Sequence, residues 1–224
     1  MAKKTIVKAK VCKSRAVYWF ALALILLSFL LAIFLYPRMP EQMVSHWNAR
    51  GEPDDYMSKF WGLFLMPFIS LGILVLFMVI PKIDPLRHNI EKFRKYFDWF
   101  VLLLLVFLFY IYVLSIVWNL GHVFNMSRAL IPALGFLFFY IGVLVEKAKR
   151  NWFVGIRTPW TLSSDKVWKK THKLGGVLFK ILGVLMFLGL IFEKYAFALL
   201  ITLIIFIAVF LIVYSYVEYR KIKR

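Results

Sequence analysis

Six apolar segments, each about long enough to cross a bilayer, leave this chain few ways to fold. They run from Ala16 to Tyr36, Phe60 to Ile80, Trp99 to Trp118, Ala129 to Val145, Gly176 to Ile191 and Tyr195 to Tyr216. Backbone N–H and C=O groups find no water inside hydrocarbon, so an apolar segment of about twenty residues placed there must be a helix. The fourth and fifth segments are short. Flanking amphipathic residues lengthen them, and Pro132 is expected in the first turn of the fourth helix, where its missing N–H costs nothing. Hydrophobic residues make up 62% of the 224 and mean hydropathy is +0.78, more apolar side chain than one soluble core can hide. The expected fold class is therefore all-α, a polytopic membrane protein built as a bundle of six transmembrane helices.

The formal charge of +18 raises nucleic-acid binding, and the placing of the cations argues against it. Lys and Arg number six before the first segment, five between the second and third, eight between the fourth and fifth, and four after the sixth. The alternate connections hold only three, one and one. The positive-inside rule then puts both termini in the cytoplasm of a plasma-membrane protein, and assigns the cations to topology and to membrane lipids, with no direct nucleic-acid contact. Cys12, the single cysteine, excludes an intramolecular disulfide and reads as an incidental thiol rather than an acylation site. The first apolar segment lacks a small-x-small cleavage site and precedes further spans, so it should remain as an anchor.

Between the fourth and fifth segments lies NWFVGIRTPWTLSSDKVWKKTHKLGG, residues Asn151 to Gly176. Gly155 supplies a permissive backbone point, and Pro159 excludes Thr158 from the helical region, so Gly155 to Pro159 should be extended or turning. A helix should start near Ser164, capped by Ser163 or Ser164, with Asp165 at its positive end. Val167, Trp168, Thr171 and Leu174 form an apolar stripe backed by Lys166, Lys169, Lys170 and Lys173, which predicts a basic turn resting on lipid headgroups. Arg157 is the suggestive side chain. Its guanidinium suits a phosphate, a carboxylate or backbone carbonyls, either as a partner site or as a clamp between spans, with Asn151, Thr158, Thr161 and Ser163 as its polar surroundings.

The ordered run NxxxGIRTPWTLSSxxVWxxTHxxxG, carried by Asn151, Gly155, Arg157, Thr158, Pro159, Trp160, Ser163, Trp168 and His172, resembles the signature of the SdpI family. These are membrane immunity proteins against the Sdp sporulation-delay toxin. The external loop from Tyr36 to Lys59 resembles a small domain of unknown function that often precedes that core, in the pattern proline, acid, then HWNxxGxxD. His46, Trp47, Asn48, Gly51 and Asp54 match. Val44 stands where the pattern has proline, and Asp55 where it has glycine. The resemblance implies a non-enzyme whose outer surface meets a toxic peptide and whose cytoplasmic surface can hold a repressor protein. It divides the chain into residues 1–60 (first span and external loop), 61–98 (second span and cytoplasmic loop) and 99–224 (membrane core).

Read from its residues, the external loop should begin with a helical turn at Pro40 and Glu41, extend over Ser45 to Asn48, and turn at Asn48, Gly51, Pro53, Asp54 and Asp55. The cytoplasmic loop after Pro85 should form an amphipathic helix on the inner membrane surface, with Ile90, Phe93, Tyr96 and Phe97 on one face. Ser28, Gly62, Gly72, Gly135, Gly142, Gly183 and Gly189 should let helices approach closely. Lys180 is the lone ionisable residue within a span and is expected to snorkel to the headgroups.

No carboxylate or histidine lies at a span midplane, which disfavours ion-coupled transport. The competing reading is a membrane enzyme or lipid-handling protein with an external His and carboxylate site. His46, Asp54 and His122, with Glu41, Glu52, Asp55 and Glu193, are its metal-ligating candidates. Their spacing matches no helical zinc signature, so neither metal nor other cofactor is expected.

Overall fold

A computed structural model describes the backbone of residues 2–191 and 193–223 and the side chains of residues 15–191 and 197–222. The side chains of Cys12 and Glu193 lie outside the described residues. In chain order the elements are α1 (Ala2–Leu35), a 3-10 turn (Tyr36–Arg38), β1 (Gln42–Trp47), β2 (Pro53–Ser58), α2 (Lys59–Ile83) and α3 (Arg87–Asn119). There follow α4 (Met126–Lys147), α5 (Pro159–Ser163), α6 (Asp165–Met186), a second 3-10 turn (Phe187–Leu190) and α7 (Glu193–Lys223). Among the described residues six helical stretches are long and apolar enough to cross a membrane: Arg15–Arg38, Lys59–Ile83, Arg87–Asn119, Met126–Lys147, Asp165–Leu190 and Phe197–Ile222. The six sequence segments fall on them. Leu30, Phe34, Val184 and Phe206 leave more than half of their surface uncovered, as hydrocarbon-facing side chains do.

The chain divides into two compact units, residues 1–78 with 98–126 and residues 79–97 with 127–224. In the first, Ala32, Met39, Met43, Leu63, Tyr112 and Ile116 form the core. Met43 comes from the hairpin, and a Cβ on Gly62 of α2 would stand 2.7 Å from its sulfur. Tyr112 donates its hydroxyl to the Ser28 carbonyl at 3.1 Å. The hairpin corrects an all-α reading, pairing β1 and β2 antiparallel with an irregularity around Ser45. The expected turn at Pro40 is displaced to Tyr36–Arg38, where Pro37 occupies the first-turn position that proline tolerates.

In the second unit Ile131, Leu182, Met186, Leu200, Ile207 and Leu211 make the core. Helices α4 and α6 meet backbone to backbone. A Cβ on Gly142 would lie 2.6 Å from the Gly176 carbonyl, and one on Gly183 would lie 2.5 Å from the Phe139 nitrogen, so any side chain would force the helices apart. Gly72, by contrast, faces open space. Pro132 lies a turn deeper than expected because α4 starts at Met126. The helix expected after Pro85 is the first part of α3, set off by a kink at the non-helical Phe93. Its apolar residues Ile90, Phe93 and Phe97 are buried by protein, which removes the reason to lie on lipid. The Lys180 ammonium, expected to snorkel alone, pairs with the Glu146 carboxylate at 2.5 Å.

Candidate functional site

The stretch after α4 is a folded joint made from few side chains. Asn151 is fully buried and uses its whole amide: Oδ1 accepts from the Phe153 and Val154 N–H groups at 2.9 and 2.6 Å, and Nδ2 donates to the Lys149 and Val154 carbonyls at 2.8 and 2.9 Å. That one side chain therefore templates the turn. The turn closes at Gly155, whose φ of +114° suits only glycine and where a Cβ would strike His172 Nε2.

His172 is 1% exposed and bridges two backbone groups. Its Nε2 accepts from the Ile156 N–H at 3.0 Å, which leaves Nδ1 to donate to the Trp168 carbonyl at 2.9 Å. Both bonds require the neutral ring with its proton on Nδ1. The ring stacks on Trp168 at 3.8 Å, and the Trp168 indole donates to the Ala148 carbonyl at 2.9 Å. Val167, Trp168 and Thr171 are buried, so the stripe expected on lipid headgroups is packed inside the protein.

Thr158 has extended backbone, as its place before proline requires, and caps α5 in a reciprocal pair with Thr161. Its hydroxyl also meets Ser215 of α7 at 3.0 Å. Ser164 caps α6 through the Val167 N–H. Trp160 lies against the Tyr216 ring at 5.1 Å, and Ser163 donates to the Pro159 carbonyl at 2.5 Å. The residues expected around Arg157 are thus engaged elsewhere. Arg157 itself is exposed and donates one bond, to the Trp152 carbonyl at 2.7 Å. Arg150 is the guanidinium that joins elements, donating to the Leu162 carbonyl at 2.8 Å and forming an ion pair with Asp165.

Three contributors escape the motif. Asp84 is 2% exposed; one carboxylate oxygen accepts from the Leu86 N–H at 2.6 Å and the other from the Trp152 N–H at 2.9 Å. Asn89 donates to the Arg150 carbonyl at 2.8 Å, and Ser215 is described above. Asp84 sits between Pro81 and Pro85, a place that marks a turn, but nothing in the sequence marks a partner 68 residues away.

The β1–β2 hairpin carries a second group of matched residues. Asn48 Oδ1 accepts from the Arg50 and Glu52 N–H groups at 2.8 and 3.2 Å, shaping a turn that Gly51 completes with φ of +80°. His46 Nδ1 and Asp54 Oδ1 pair across the strands at 2.5 Å, with 67% and 41% of their side-chain surfaces exposed. Trp47 packs edge-on against Trp118 at 5.9 Å, and neither indole N–H has an acceptor. The hairpin is held at two points. Asn119 grips Val44 by both backbone groups, at 2.8 Å to its N–H and 3.1 Å to its carbonyl, and Asn125 donates to the Arg50 carbonyl at 2.9 Å. A proline at 44 has no N–H to give, so the departure at Val44 is what allows that grip. Asp55 likewise bonds the Tyr56 N–H at 2.7 Å. His122 is exposed in the α3–α4 connection, and among the described residues no group of three or more His, Cys, Asp and Glu stands close enough to hold a metal ion.

Residues 147–215 match the SdpI/YfhL protein family, and residues 23–71 match a domain of unknown function, DUF1648. The chain is similar to the Immunity protein SdpI of Bacillus subtilis (strain 168), 23% identical over 204 residues, which cover 91% of this chain and 96% of that protein. No solved structure matches the chain.

Proposed function

We propose that this chain, which carries the SdpI/YfhL family segment behind a DUF1648 domain, is a plasma-membrane immunity protein that protects its cell from an Sdp-like toxic peptide. The observation that carries the reading is the end-to-end likeness to a protein named for immunity, spanning 91% of this chain. Both termini lie in the cytoplasm, supported by the cation split between alternate connections. The protein acts by binding, not by turnover. On the outside, His46 and Asp54, beside Trp47, form the contact surface for the peptide, supported by the exposure of the His46 and Asp54 side chains on a hairpin that two asparagines hold still. On the inside, the exposed Arg157 and Trp152 face a cytoplasmic repressor protein.

The test is expression in a toxin-sensitive strain with survival and membrane protein level measured together. Protection is expected from the native chain and loss of it, at unchanged protein level, from His46→Ala and Asp54→Asn. Absence of protection against every candidate peptide ends the immunity reading. Topology is read separately with an impermeant thiol reagent on Cys12→Ser chains bearing either Arg50→Cys or Lys166→Cys; only the first is expected to label from outside whole cells.

A further inference from the structure

Helix α6 presents an open groove of about 240 Å³ lined by Phe139, Lys180, Ile181, Val184 and Leu185. Ile181 and Val184 are 49% and 58% exposed along it. Such a groove does not hold ordered water, because water needs two to four polar partners and the wall offers only one ammonium, already engaged. The mouth of the groove is different in kind. The Glu146 carboxylate is bridged by two ammoniums, Lys180 on one oxygen at 2.5 Å and Lys147 on the other at 3.6 Å, which leaves a net positive charge. This cluster sits where α4 ends, at the boundary of its apolar stretch, while Phe139 lies seven residues earlier, about 10 Å deeper at helical rise. Lys173, two turns before Lys180 on the same side of α6, adds an exposed cation farther out. From Lys173 through Lys180 to Val184 the surface thus changes from cationic to apolar in the direction in which a phospholipid changes from headgroup to tail.

We propose that this groove is a binding site for one anionic diacyl phospholipid, its phosphate on the Lys180 and Lys147 ammoniums and one acyl chain along Ile181, Val184, Leu185 and Phe139. Glu146 holds the two cations at a common point and keeps Lys180 from turning into the apolar wall. The site is independent of any toxin.

Full-length protein in mild detergent, titrated with an equimolar mixture of phosphatidylglycerol and phosphatidylcholine and weighed by native mass spectrometry, tests it. One phosphatidylglycerol is expected to bind before any phosphatidylcholine. Lys180→Gln should weaken that first binding about tenfold, the effect of losing one charge-assisted contact. Removing one partner of an ion pair can impair folding, so Val184→Trp provides a second arm: an indole on this exposed position fills the groove and should abolish the first binding with folding intact. Equal binding of the two lipids, or an undiminished phosphatidylglycerol adduct in folded Val184→Trp, overturns the proposal. Displacement of the lipid by a second copy of the chain, seen as a dimer mass without lipid, overturns it as well.

Discussion

The β1–β2 hairpin and the loop between α4 and α6 are built from the same three devices and put them to opposite use. Each has an asparagine that accepts two backbone N–H groups, Asn48 in the hairpin and Asn151 in the loop. Each has a glycine at positive φ, Gly51 and Gly155. Each has a histidine, and there they part: His46 is two-thirds exposed beside a carboxylate, whereas His172 is buried between two backbone groups. An exposed pair of this sort contributes little to folding, while a buried polar group that loses its partner costs the full desolvation of what remains. The hairpin therefore displays its side chains, and the α4–α6 loop consumes them. Variants should separate along that line.

Asn151→Ala should have the largest effect. It strands four backbone groups around a fully buried side chain, and a loss on the order of 3 kcal/mol is expected, read as a lowered unfolding temperature and depleted membrane protein. His172→Leu comes next, at about 2 kcal/mol, because it leaves the Ile156 N–H without an acceptor while keeping most of the volume. If His172→Leu were as stable as the native chain, the α4–α6 loop would not be the joint described. Val44→Pro should cost about 1 kcal/mol by removing the N–H that Asn119 holds, and Asn119→Ala should add less in its presence than alone. His46→Ala should leave the unfolding temperature unmoved while protection falls; a large loss of stability would place it with His172 and collapse the comparison. Arg157→Ala should be smallest in stability, since the side chain is exposed and donates one bond within its own loop.

Local grammar was legible in the sequence and distant partnership was not. Ser164 before Asp165 announced the start of α6, and Pro159 announced an extended Thr158, because caps and proline act within a turn of themselves. The apolar lengths announced six spans for the same reason. Lys180 was visible as an anomaly in a span, but its partner Glu146 sits 34 residues earlier, at the end of a different helix. Without that partner the ammonium reads as a snorkelling cation. The stripe of Val167, Trp168 and Thr171 shows a similar limit: its amphipathic spacing correctly marks a buried face, and spacing alone does not say whether lipid or protein covers it. The pairing of the hairpin was hidden because Gln42 to Trp47 lacks clean alternation and its register breaks near Ser45, so only an extension from Ser45 and the turn chemistry at Asn48 and Gly51 showed through.

The carboxylate of Asp84 has a consequence for how such proteins can be cut and recombined. It precedes the matched family segment of residues 147–215 by more than sixty positions and yet receives the N–H of Trp152 inside it. A graft that carried residues 147–215 alone into another membrane scaffold would bring Trp152 without its acceptor and Arg150 without Asn89. Inheritance of the segment is thereby tied to inheritance of a short acidic turn elsewhere in the chain. Chimeras between relatives should work when the two travel together and fail when a crossover falls between them.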